Sequence, residues 1–196
     1  MKSILCINDH IAEMSEEQTE KVINSLPDWR REVALHYKHF QGRRECAIGY
    51  VELLRGLRVC FGINDCPSFV YNVHEKPLLK EHSELHFSIS HCKEAVGCFV
   101  ADRPCGLDIE FIRKAKPDLV RHTMSPEETE SIFSAKFPDI AFTRLWTQKE
   151  AVLKLLGTGI VDDLHSVLKP EKLQGIELKT VENPYRNYIY TTALQL

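Results

Sequence analysis

The stretch Trp146-Thr-Gln-Lys149-Glu150-Ala-Val-Leu-Lys154-Leu-Leu-Gly157-Thr-Gly159 holds good helix formers and no Pro or Gly before Gly157. Gly157 is well placed to end the run. This spacing predicts a helix on which Trp146, Glu150 and Lys154 share one face. About forty residues upstream, Gly106-Leu-Asp108-Ile-Glu110 alternates acid with aliphatic. Read as a strand, it sends Asp108 and Glu110 to one side and Leu107 and Ile109 into the core.

Three acids packed together repel one another, and burying them unpaired is costly, so their convergence makes sense around a cation. Oxygen-only ligands suit a hard ion, whereas zinc sites draw on closely spaced His and Cys. The expectation is Mg²⁺ held by Asp108, Glu110 and Glu150, with Lys154 beside a phosphate, in a site for phosphoryl transfer. Taken singly, each motif also reads as ordinary surface: two solvated strand acids, and a helix pair contributing about 0.3 kcal/mol.

The remaining chain reads as a set of short elements. Residues 4–7 suit an edge strand, and Ser15 with Gln18 forms a capping-box start to a helix reaching Leu26. Two further helices are expected over 29–40 and 45–55, with Gly56 ending the second. Strands are expected at 69–73, 85–90 and 95–101, the last two as a hairpin. Asp102-Arg-Pro-Cys105 is the candidate boundary, dividing residues 1–102 from 103–196. Ser125-Pro-Glu-Glu128 starts another helix, and 176–181 with 188–193 read as closing strands.

Composition narrows the function classes. Of the 196 residues, 43% are hydrophobic and 27% charged, ordinary values for a globular protein. A formal charge of −3 argues against nucleic acid as a partner. No apolar run has the length of a membrane span, and the N-terminal apolar core is too short for a signal peptide. Seven cysteines without a CxxC pair suggest reduced thiols. The expected location is cytoplasmic.

Taken in order, four pieces resemble a known family. Gly106-Leu-Asp-Ile-Glu110 and Trp146-x-x-Lys-Glu-Ala-x-x-Lys-x-x-Gly-x-Gly159 are similar to the paired signature of the phosphopantetheinyl transferases. Leu85-His-Phe-Ser-Ile-Ser-His91 resembles the family's strand ending in Ser-His, and Glu75-Lys-Pro-Leu78 its Gly-Lys-Pro-Phe segment, with Glu in place of Gly. Cys92 stands where the family usually has a small polar residue.

The resemblance implies transfer of the 4'-phosphopantetheine arm of coenzyme A to a serine of an apo acyl or peptidyl carrier protein, releasing adenosine 3',5'-bisphosphate. The length of 196 residues matches the two-lobed, monomeric surfactin-synthetase-activator branch. That implies an α/β chain of α+β type, a pseudo-dimer of two similar subdomains with the active site in the cleft between them. The first would bind coenzyme A and the second would carry the metal site and the carrier surface. It further implies Ser90 and His91 at phosphate, Lys76 and Pro77 beside the adenine, Lys154 at the pyrophosphate, and Glu150 as ligand or general base. For the 3'-phosphate the basic candidates are Arg30, Arg31, Arg43 and Arg44, of which Arg43 and Arg44 are preferred. The strip 112–121, with Arg113, Lys114, Lys116 and Arg121 among apolar residues and Met124 extending its apolar part, would meet an acidic carrier. Two other readings use the same residues: a Mg²⁺-dependent phosphodiesterase or nuclease, and a non-catalytic relative that binds coenzyme A. The nuclease should show a basic groove, and the non-catalytic relative should have lost a metal acid.

Overall fold

The computed structural model describes residues 2–159 and 163–196. It opens with β1 (Ser3–Asn8), then α1 (Glu16–Ser25), α2 (Asp28–His36) and α3 (Phe40–Gly56). A short hairpin, β2 (Phe69–Tyr71) and β3 (Pro77–Leu79), precedes a longer one, β4 (His86–His91) and β5 (Val96–Ala101). A similar succession then recurs as β6 (Cys105–Phe111), α4 (Pro117–Thr123), α5 (Pro126–Ser134), α6 (Pro138–Leu156), β7 (Ile176–Asn183) and β8 (Tyr188–Gln195). The fold is α+β, with antiparallel sheets ordered β1-β5-β4 and β6-β8-β7. In each, the first strand lies beside the last strand of the closing hairpin.

Burial explains the layering. All six residues of β5 are buried, because both faces of the strand are covered. Cys98 and Val100 pack toward α3 with Leu53, Leu57 and Tyr50, while Phe99 and Ala101 pack toward Leu107 and Ile109 of β6. The order is therefore α3, first sheet, second sheet, α6, with β4 and β5 lying against β6. Trp29, Tyr50, Phe69 and Phe87 fill the first half, their neighbouring rings 5.0 to 5.9 Å apart. Such aromatic pairs each add about 0.5–1.5 kcal/mol beyond area burial.

Capping boxes start α1 at Ser15 and α5 at Ser125, as local sequence predicts. Other boundaries differ. The helix expected over 29–40 stops at His36, and α3 begins at Phe40 with Gly42 inside it, beneath the Tyr37 ring. Gly56 is the last residue of α3, as expected, but its φ of −62° is still helical, and the chain runs on through a wider turn over Leu57–Phe61 to Gly62, whose φ is +73°. A glycine breaks the helical path only where tertiary packing lets the chain turn left-handed. The helix carrying Glu150 starts at Pro138, well before Trp146, and α4 and β3 were not anticipated. Among the described residues, no helix is long and apolar enough to cross a membrane.

Candidate active site

Gly106 sets the geometry. A Cβ there would stand 2.0 Å from the Ala151 carbonyl oxygen and 2.6 Å from the Leu155 nitrogen, so the backbones of β6 and α6 meet with no side chain between them. Leu107 and Ile109 point into the core between the sheets, which turns the alternate residues Asp108 and Glu110 toward α6. Along α6, Trp146, Glu150 and Lys154 recur every four residues and face the same cavity.

The acids meet cations and one another there. Lys154 Nζ donates to Asp108 Oδ1 at 2.7 Å and to Ser90 Oγ at 2.9 Å. Asp108 is buried, and its Oδ2 has no hydrogen-bond partner among the described residues. Glu110 accepts from Arg113 Nη2 at 2.6 Å and from the Trp146 indole at 3.2 Å. Burial, and then the negative charge of Asp108, push the carboxyl groups of both Glu110 and Glu150 above the usual range. Among the described residues, no group of three His, Cys, Asp or Glu side chains is gathered closely enough to hold a metal as it stands. The donor set nevertheless fits a hard cation. It offers only carboxylate oxygens, one of them buried and unpartnered, and a cation would relieve the mutual repulsion of the acids.

Two serines fasten β4 to the free edge of β6. The Leu107 N–H donates to Ser88 Oγ and the Ile109 N–H to Ser90 Oγ, each at 3.0 Å. Serines two apart match the two-residue period of outward N–H groups on the facing strand. Ser90, expected at phosphate, thus spends its hydroxyl on Ile109, Lys154 and Asp108, to which it donates at 3.1 Å. His91 lies half exposed, its Nδ1 3.2 Å from Glu45 Oε2, while Gln41 Nε2 holds Glu45 Oε1 at 2.7 Å. Sequence reading missed Glu45, since a mid-helix acid carries no signature and its partner is a strand away.

Three cavities adjoin at Ile89. One of about 330 Å³ is lined by Ser90, His91, Asp108, Glu110, Glu150 and Lys154. The second, about 310 Å³, runs past Lys76, Pro77, Phe87, Leu153 and Gly157. The third, about 220 Å³, is lined by Arg30, Tyr37, Tyr71, Pro77 and His91.

Several expected contacts fall elsewhere. The third cavity takes Arg30 in its wall rather than Arg43 or Arg44, which donate instead to the carbonyls of Tyr37 and Met14. The Lys76 ammonium turns inward to backbone carbonyls, leaving its stem along the second cavity. Met124 is 1% exposed and packs with Val120, Ile132 and Phe142, so it cannot extend the apolar part of the basic strip. Lys114, Lys116 and Arg121 are exposed, while Arg113 is drawn to Glu110.

Known proteins are similar to parts of this sequence. The family described as the 4'-phosphopantetheinyl transferase superfamily matches residues 104–192, the part that holds β6 and α6. The chain is 26% identical over 178 residues to a 4'-phosphopantetheinyl transferase of Bacillus subtilis, covering 87% of this chain and 79% of that protein. It is 34% identical over 121 residues to the 4'-phosphopantetheinyl transferase HetI of Nostoc, covering 54% of this chain and 50% of HetI. It is 31% identical over 100 residues to the 4'-phosphopantetheinyl transferase gsp of Aneurinibacillus migulanus, covering 50% of this chain and 41% of that relative.

Proposed function

We infer that this chain, which belongs to the 4'-phosphopantetheinyl transferase superfamily, moves the phosphopantetheine arm of coenzyme A onto a serine of an apo acyl or peptidyl carrier protein. The observation that carries the reading is the meeting of Asp108, Glu110, Glu150 and Lys154 around one cavity that shares Ile89 in its wall with two more. The three cavities suit the three parts of the substrate. The pyrophosphate sits against Lys154 and His91, the arm follows Phe87, Ile89 and Leu153, and the nucleotide lies by Pro77 and Tyr71, with Arg30 toward its phosphate. Adenosine 3',5'-bisphosphate leaves from that nucleotide cavity.

Asp108, Glu110 and Glu150 hold Mg²⁺ in this reading, and the ion supplies charge neutralisation for the pyrophosphate oxygens. Lys154 adds a positive point charge one helical turn from Glu150. Glu150, its carboxyl pushed upward by burial and by Asp108, is also the group best suited to take the proton of the attacking serine. Exposed Lys114, Lys116 and Arg121 form the side that steers an acidic carrier.

We read residues 1–102 and 103–196 as two copies of one α+β unit with the cleft between them, on the strength of the matching strand orders. The chain acts as a monomer of the surfactin-synthetase-activator kind, in the cytoplasm. The test is mass spectrometry of apo carrier proteins incubated with the enzyme, coenzyme A and Mg²⁺. The added arm on the carrier serine is the expected result. An unmodified carrier together with hydrolysis of coenzyme A or nucleic acid would replace transfer with a phosphodiesterase reading, and coenzyme A binding without turnover would mean a non-catalytic relative.

A further inference from the structure

The tip of the β2–β3 hairpin is built around Asn72. Its Oδ1 accepts the backbone N–H groups of His74 and Lys76, both at 2.9 Å, and closes the turn. Its Nδ2 reaches out of the hairpin to the Gly157 carbonyl at 3.2 Å. Lys76 does more of the same. Its ammonium donates to the carbonyls of Lys154 at 2.5 Å, Leu155 at 3.1 Å and Cys105 at 3.4 Å. Two of these are carbonyls of the last turn of α6, which the helix itself leaves without partners. Gly157 closes the fit: a Cβ there would stand 2.8 Å from Lys76 Cδ.

We propose that the Asn72–Lys76 hairpin is a latch on the C-terminal turn of α6, with Lys76 the positioning residue that fixes where Lys154 stands. The link is direct, because the carbonyl nearest the Lys76 ammonium belongs to Lys154 itself. The Lys154 side chain in turn holds Asp108 and Ser90. A cation at a helix C-terminus is also favoured by the helix dipole. With its three donors occupied by carbonyls, Lys76 has no proton left for a phosphate. The cation in this hairpin turn therefore serves the protein rather than the ligand.

The test separates the two roles, and its kinetic half rests on the transfer reading above. Lys76→Met should lower kcat about tenfold while KM for coenzyme A moves less than about twofold. Hydrogen exchange at the amides of the last turn of α6, measured without substrate, should quicken in the same variant. Asn72→Ala should move both readouts in the same direction, and the double variant should add little to either single one. Should Lys76→Met not fold, Lys76→Arg answers the question, because its planar fork keeps the charge but cannot meet three converging carbonyls. Lys76→Arg is then expected to lose kcat and exchange protection, whereas a ligand contact would survive it. A rise of about tenfold in KM for coenzyme A, with kcat and exchange unchanged, would overturn the latch, as would unchanged kcat and exchange together. If the wild-type protein transfers nothing, the function fails by itself, and exchange still decides the latch.

Discussion

Both halves lay a long helix over a three-stranded sheet, yet they bring helix and sheet together by opposite means. In the first half the glycines are on the helix: Gly49 and Gly56 of α3 make room for Ile89, Val100, Ile4 and Cys6 projecting from the sheet. The seam is sealed by apolar side chains. In the second half the glycine is on the strand, and Gly106 lets the backbone of α6 descend onto β6. Ala151 and Leu155 of α6 pack on Ala193, Ile176 and Leu178 of the sheet, and at the edge of that apolar contact Asp108 and Glu110 stand beside Trp146, Glu150 and Lys154. Each helix also carries an acid with a basic residue following it, Glu52 with Arg55 on α3 and Glu150 with Lys154 on α6. Glu52 is closed in at 3% exposure, whereas Glu150 opens onto a cavity. One seam is thus sealed, with its glycines on the helix, and the other opens onto a cavity, with its glycine on the strand.

The largest expected effect tests how the two halves are filled. Where the first half packs aromatic rings, the second buries Lys149 at 1% exposure, bound to Glu128 Oε2 at 2.6 Å, Leu164 O at 2.8 Å and Thr123 O at 3.1 Å. Lys149→Ala should destabilise the protein by about 3–5 kcal/mol in urea denaturation, because it leaves the Glu128 carboxylate and two carbonyls without their cation. A loss under about 1 kcal/mol would mean that water replaces the ammonium easily.

The second contrast is catalytic. Asp108→Ala and Glu150→Gln should each cut transfer by about 10²–10³-fold, whereas Glu52→Gln, the matching change in the sealed half, should leave the rate unchanged. Equal losses in both halves would break the comparison. The third contrast reads the seam itself. Gly106→Ala should cost about 3 kcal/mol, since its Cβ meets backbone, while Gly56→Ala should cost about 1 kcal/mol, since it meets the Val100 methyl at 2.9 Å and that side chain can give way. Thermal denaturation of both variants checks the order. Smallest is the change at the rim: Lys114→Glu with Lys116→Glu should raise KM for an acidic carrier by about three- to tenfold and leave KM for coenzyme A alone, read from initial rates.

Much of this was legible in the chain because it is local. Alternation in Gly106-Leu-Asp-Ile-Glu110 depends only on the two-residue period of a strand, and Leu107 and Ile109 lie in the core accordingly. Capping boxes at Ser15 and Ser125 close within three residues, so the sequence alone placed those helix starts. Gly56 shows the limit. Its identity suits a stop, and α3 does end there, but packing decides where the chain turns left-handed, and here it does so only at Gly62.

By itself, then, the amino-acid order determined which residue types face the same way along each strand and helix, and hence which acids and which lysine share a side. Tertiary structure alone decided which partner each of them takes. Lys76 went to the carbonyls of α6, Ser90 to the edge of β6, Glu45 to His91, and Met124 to the core. The reason is reach. Periodicity and capping act over a few neighbouring residues, whereas a buried donor takes the nearest free acceptor in space, and that acceptor belongs to whichever distant segment the packing has brought alongside.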